Sequence, residues 1–195
     1  MPLTAGRFAE AAAGRHRALA TTKSSGQLVS AIGASEAVTR PRAPGILLGI
    51  GLGGFVDGIV LHQILQWHHL LSSEGSYPKT TVAGLENNML WDGLFHAATW
   101  GAVLMGLWIL WRRTTDWRWA ISGRAFVGWL LVGWGLFNLV EGLVDHHILG
   151  IHHVRETGNQ TAWDLAFLAV GTLLAIAGWA LVRPDERSRG RWTRP

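Results

Sequence analysis

The chain has 195 residues, 49% of them hydrophobic and only 15% charged, against roughly 25% charged in soluble domains. It has no cysteine, which excludes disulfides, thiolate nucleophiles and thiolate metal sites, so any metal must be held by histidine and carboxylate. The net charge of +4 would suit nucleic acid, but the basic residues sit in links and tails rather than on one folded face, which excludes that partner.

Residues 1–43 are rich in Ala, Gly, Ser, Thr and Arg. They hold no apolar run of the kind a cleavable signal peptide needs, and they read as a disordered basic cytoplasmic arm with a short helix near Phe8–Leu19. Its arginines could touch anionic lipid. The domain that follows covers 44–183, and residues 184–195 form a basic cytoplasmic tail.

Four apolar blocks follow in order, at about 45–70, 89–111, 125–151 and 163–182. Each reaches the roughly 20 residues that a hydrocarbon core requires. Backbone groups inside lipid must bond internally, and the blocks are continuous rather than alternating, so they should be helices and not barrel strands. The expectation is an all-α integral membrane four-helix bundle. Gly45, Gly49 and Gly53, four apart in the first span, are a spacing that lets helix backbones approach closely.

Lysine and arginine set the orientation. Fifteen lie in the arm, the second link and the tail, and only Lys79 and Arg155 lie in the first and third links. Both termini should therefore be cytoplasmic, as in a multi-pass protein of a bacterial inner membrane. Nine of the twelve tryptophans agree, with Trp67, Trp91 and Trp163 at the outer ends and Trp108, Trp111, Trp117, Trp119, Trp129 and Trp179 near the inner ends.

The chain also repeats itself. "FVDGIVLHQILQWHH" (55–69) aligns without gaps to "LVEGLVDHHILGIHH" (139–153) with eight of fifteen positions identical, and "LWDGLFH" (90–96) pairs with "AWDLAFL" (162–168). Two duplicated helical hairpins in parallel orientation, about 45–111 and 125–182, would account for this.

The polar residues of these spans are the candidate site. At about 1.5 Å per residue, His68, His69, Asp92, His152, His153 and Asp164 fall near the outer surface. His62, His96, His146 and His147 lie roughly 10 Å deeper, and Asp57 and Glu141 approach mid-membrane. In the second span Asn88, Asp92, His96 and Thr99 share one face through steps of three and four. Charge facing lipid costs at least about 2.5–3.5 kcal/mol per residue, so these faces should turn inward. A bundle core lined with His and Asp/Glu is a known way to hold one or two metals, and imidazole with carboxylate suits Zn, Fe, Mn or Cu. The middle layer, His62, His96 and His146 with His147, is the expected ligand set. Asp57 and Glu141 would orient its rings or accept protons, and the surface layer would be a second site or an entry port.

The segments "GFVDGIVLHQILQWHHLL", "WDGLFHA", "NLVEGLVDHHILGIHHVRE" and "WDLAFL" resemble a bacterial domain-of-unknown-function family of small multi-pass membrane proteins. The resemblance covers about 45–182. It implies no activity and transfers no catalytic residue, and it tilts the metal toward copper or respiratory metal supply, with copper-handling or respiratory membrane partners. The main reading is a metal-handling membrane protein. The alternatives are a membrane metalloenzyme, an oxidoreductase or hydrolase acting on a lipid or quinone, and a proton or ion conductor or structural polar network.

Overall fold

The computed structural model describes residues 41–114 and 122–183. The expected helix near Phe8–Leu19, most of the basic arm, part of the second link and the basic tail lie outside the described residues. The described chain is all helical with no strand.

Helix α1 (Arg42–Phe55) runs without a break into a π-helical segment, π1 (Val56–Ile64). Helix α2 spans Val82–Thr114. Helix α3 (Gly123–Glu141) continues into a second π-helical segment, π2 (Gly142–Ile148), and helix α4 spans Gln160–Val182. Side chains cap three of the helices: the Thr81 hydroxyl accepts from the Gly84 amide at 3.1 Å, that of Ser122 from the Ala125 amide at 3.3 Å, and Asn159 Oδ1 from the Ala162 amide at 3.1 Å.

Four stretches are long and apolar enough to cross a membrane: Arg42–Ile64, Val82–Arg113, Gly123–Ile148 and Gln160–Val182. Three boundaries differ from the sequence expectation. The first and third spans stop at Ile64 and Ile148, short of residues 70 and 151, because the chain turns there. Gln66 (φ 50°) and Gly150 (φ 59°) both adopt left-handed backbone, which ends a helix. The second helix begins at Val82 rather than near 89, because the polar "VAGLENN" turns also form regular helix.

Wide hydrogen bonds close both π segments at corresponding places. The Leu65 amide donates to Val60 O and that of Trp67 to Leu61 O; the Leu149 amide donates to Val144 O and that of Ile151 to Asp145 O. The bonds of Leu65 and Leu149 span five residues and those of Trp67 and Ile151 span six; π-type i→i+5 bonding is uncommon and is found frequently at functional sites.

Helices α1 and α3 form the central pair. Helix α2 packs on α1, α4 packs on α3, and among the described residues the Cα atoms of α2 and α4 stay more than 8 Å apart. The central pair approaches closely because its seam is glycine. A methyl group added at Gly49 would land on Leu130 O, and one added at Gly133 would land on Ile46 O. Gly45 lies against Trp129, and Gly53 against Trp134 and Phe137, so all three glycines noted in the sequence face α3. Beyond this seam the central pair diverges. The Cα atoms of π1 and π2 stay more than 8 Å apart. The gap between them is filled by side chains and by the connections 65–81 and 149–159, which fold back into it.

The seam has a measurable consequence. Gly133→Ala forces a methyl group against rigid backbone and should destabilise the protein by about 1–3 kcal/mol. A denaturation series in detergent reads this as a lower unfolding midpoint, and an unchanged midpoint would mean that the helices do not meet there.

Candidate functional site

The gap between π1 and π2 is lined by polar groups. Asp57, His62, His68, Asn138, Glu141, His146 and His152 are all buried there, with His62, His68 and His152 essentially inaccessible. π1 supplies Asp57 and His62, and π2 supplies His146, with Glu141 one residue before it. His68 and His152 come from the returning connections. Their rings stack face to face at the centre, with centroids 4.7 Å apart and planes 5° from parallel. His62 sits edge-on to His68 at 4.4 Å, and His146 edge-on to His152 at 4.7 Å.

A surrounding shell of hydrogen bonds holds three of these rings from behind. His62 Nδ1 donates to Asp92 Oδ1 at 3.0 Å. His68 Nδ1 donates to Val154 O at 2.9 Å, and His152 Nδ1 donates to Leu70 O at 3.1 Å, so each connection supplies a carbonyl to the other's imidazole. Carbonyl and carboxylate oxygens only accept, which places the proton of these rings on Nδ1. Burial pushes the His68 imidazole down to about 4, against the opposing pull of Asp57. It pushes His152 well below the usual range, with His68 and His146 adding to the effect. Both rings are therefore neutral at pH 7, and each turns an Nε2 lone pair inward.

Asp92 and Asp164 anchor this shell. Asp92 also accepts from His69 Nδ1 (2.6 Å), the Leu70 amide (2.9 Å) and Gln63 Nε2 (3.4 Å). Asp164 does the same in its own setting, accepting from His153 Nδ1 (2.7 Å) and the Val154 amide (3.0 Å). Asn88, fully buried, takes the Leu71 amide and donates to the Tyr77 and Gly84 carbonyls. The two connections are further tied by the Ser73 amide on Ile151 O and by the Lys79–Glu156 ion pair.

The inward side is different. Both oxygens of Asp57, both oxygens of Glu141, Nε2 of His62, His68 and His152, and both nitrogens of His146 are buried without a hydrogen-bond partner. His62 Nε2 and Asp57 Oδ2 are 3.0 Å apart, yet their directions are wrong for a hydrogen bond. The other inward pairs are longer: His68 Nε2 to Asp57 Oδ1 at 3.9 Å and His152 Nε2 to Glu141 Oε1 at 3.6 Å. One ligand atom from each of His62, His68, Glu141 and His152 falls within 4.8 Å of all the others, a spacing that could hold a metal ion.

Residues 44–185 match a protein family described as "Predicted membrane protein (DUF2243)". The chain belongs to the DUF2243 family. No curated protein and no solved structure matches it. The family match takes in all four helices, but for Arg42 and Ala43 at the start of the first, and every residue of the cluster.

The DUF2243 domain groups its polar residues differently from their depth along straight helices. His68 and His152 lie at the centre rather than near the surface, because the left-handed turns at Gln66 and Gly150 send the chain back inward. His69, Asp92, His153 and Asp164 form the shell behind the central rings. Asp57 and Glu141 stand among the central rings, not behind them. His96 and His147 stay apart. His96 is half-buried against Gly58, with Nδ1 donating to Asp92 O at 2.7 Å; His147 is exposed, with Nδ1 donating to Gly142 O at 2.8 Å. Two clefts reach the cluster. One, of about 260 Å³, runs past Trp67, Trp134, Trp163 and Phe167 to Asp57. The other, of about 240 Å³, runs past Phe95 and Phe137 to Glu141 and Asp145.

The shell makes its own prediction. Asp92→Asn leaves shape nearly unchanged but removes a charged acceptor, and hydrogen bonds to charged groups contribute about 1.5–3 kcal/mol. The variant should unfold earlier, and protease should cut 65–81 faster than in the parent. Unchanged cutting and stability would show that Asp92 does not anchor that connection.

Proposed function

We propose that the protein binds a transition-metal ion between π1 and π2 and serves metal handling or respiratory metal supply within its membrane. One observation carries this reading. The ring nitrogens of His62, His68 and His152 that face outward are held by acceptors, while those facing inward, with the carboxylates of Asp57 and Glu141, have no partner. Buried polar atoms without a partner are rare, and each costs about 1–3 kcal/mol. A structural polar network would satisfy its own inner atoms, whereas a metal site leaves them free for the ion. Metal-bound histidines characteristically donate their other ring N–H to a carboxylate or carbonyl, as His62, His68 and His152 do here. With nitrogen and oxygen donors only, Cu, Zn, Fe and Mn are the ions that suit the site.

The paired sequence segments support an origin by duplication of one helical hairpin. So do the matching backbone bonds of Leu65 and Leu149 and of Trp67 and Ile151, and the matching roles of Asp92 and Asp164. The distribution of lysine and arginine supports cytoplasmic termini in a bacterial inner membrane, which would put the centre in the outer half of the bilayer. A second reading, a metalloenzyme acting on a lipid or quinone, is favoured by the two clefts, whose aromatic walls lead to the carboxylates.

The full chain purified in detergent should carry Cu, Zn, Fe or Mn well above background by mass spectrometry. His62→Ala combined with His152→Ala should lower that content at least about tenfold. Background metal in the parent, even after soaking in each ion, would sink the reading.

A further inference from the structure

We infer that the centre holds two metal ions, one between Asp57, His62 and His68 and the other between Glu141, His146 and His152. The inference rests on the metal-binding reading above and adds a stoichiometry and a division of ligands.

The donor atoms argue for two ions. A single ion held by His62, His68, Glu141 and His152 would leave both oxygens of Asp57 and both nitrogens of His146 unpartnered in the interior. Divided by π segment, every inward donor residue has a role. The first set is already gathered, with His62 Nε2 at 3.0 Å and His68 Nε2 at 3.9 Å from Asp57 oxygens. In the second, His152 Nε2 lies 3.6 Å from Glu141 Oε1, and the His146 ring lies 4.7 Å from that of His152. The two sets meet where His68 and His152 stack. Each offers two imidazoles and one carboxylate, a ligand set that leaves positions open on a transition metal.

Charge argues the same way. Among the described residues, the buried ones include four carboxylates, Asp57, Asp92, Glu141 and Asp164, and no lysine or arginine. Uncompensated buried charge is strongly unfavourable. An ion beside each of Asp57 and Glu141, the two buried acids whose oxygens have no hydrogen-bond partner, gives each a counter-charge. His96 and His147, held by their own helix carbonyls, are needed by neither ion.

The test is a titration of the chelator-stripped full chain in detergent with Zn²⁺, followed by metal analysis. The expected result is two Zn²⁺ per chain in the parent, one in His146→Ala and one in His62→Ala, each variant checked for helix content by circular dichroism. Loading the parent with Cu²⁺ provides a readout that needs no variant. Two neighbouring Cu²⁺ ions should give a spin-coupled resonance spectrum once the second equivalent binds. One Zn²⁺ per chain in the parent overturns the second ion and leaves the metal-binding reading standing. No bound Zn²⁺ or Cu²⁺ overturns both. Two ions with uncoupled spectra, or loss of both ions from a folded His146→Ala protein, overturns the division by π segment.

Discussion

The arrangement depends on one reciprocal interaction, the exchange of carbonyls between the two returning connections. His68 donates to Val154 O and His152 donates to Leu70 O, so neither ring is held by its own segment. The amides of those same residues, Leu70 and Val154, are bound by Asp92 and Asp164. Each short stretch of backbone is thus used from both sides, by a carboxylate on its amide and an imidazole on its carbonyl. The interaction is buried, where an unmade hydrogen bond costs most, so the two connections order together.

The glycine seam makes room for this. Where Gly49 and Gly133 bring α1 and α3 into backbone contact, no space remains for a site. The widened π segments start a turn or two later, and from there the helices stand apart. Gly58 and Gly142 extend the pattern outward: a side chain at either would collide with α2 at His96 or with α4 at Leu168. Close packing at one end of the pair comes from Gly49 and Gly133 set against backbone, and the outer glycines let α2 and α4 close on the π segments.

Much of this was legible in the sequence. The four spans follow from apolar length, the seam from glycines four apart, and the inward face of α2 from Asn88, Asp92 and Thr99 at helical steps, all three of them buried. The grouping of the cluster was not legible. Depth counted along a straight helix puts His68 and His152 at the surface, and that count fails wherever the helix stops. Gly150 gave a usable signal, since glycine commonly ends a helix; Gln66 gave none, because nothing in its chemistry favours left-handed backbone. The roles of the acids followed from the same error. With the returning histidines placed outside, Asp92 and Asp164 became surface groups, and Asp57 and Glu141 became the groups behind the rings.

The two sides of the cluster are alike in plan and unlike in chemistry. Beside Asp57, Trp67 and Trp163 pack at 5.1 Å, and the Arg155 guanidinium lies over both rings, 5.3 Å and 5.7 Å from their centroids. Beside Glu141 the cleft has no tryptophan, and a second acid, Asp145, stands at the position that aligns with Leu61. The roof on the Asp57 side is a cation stacked on two tryptophans, and the Glu141 side carries an additional carboxyl instead. Two similar halves thus meet different surroundings, and the difference is set by side chains at the rim, Arg155 and Asp145, rather than by the groups within the cluster.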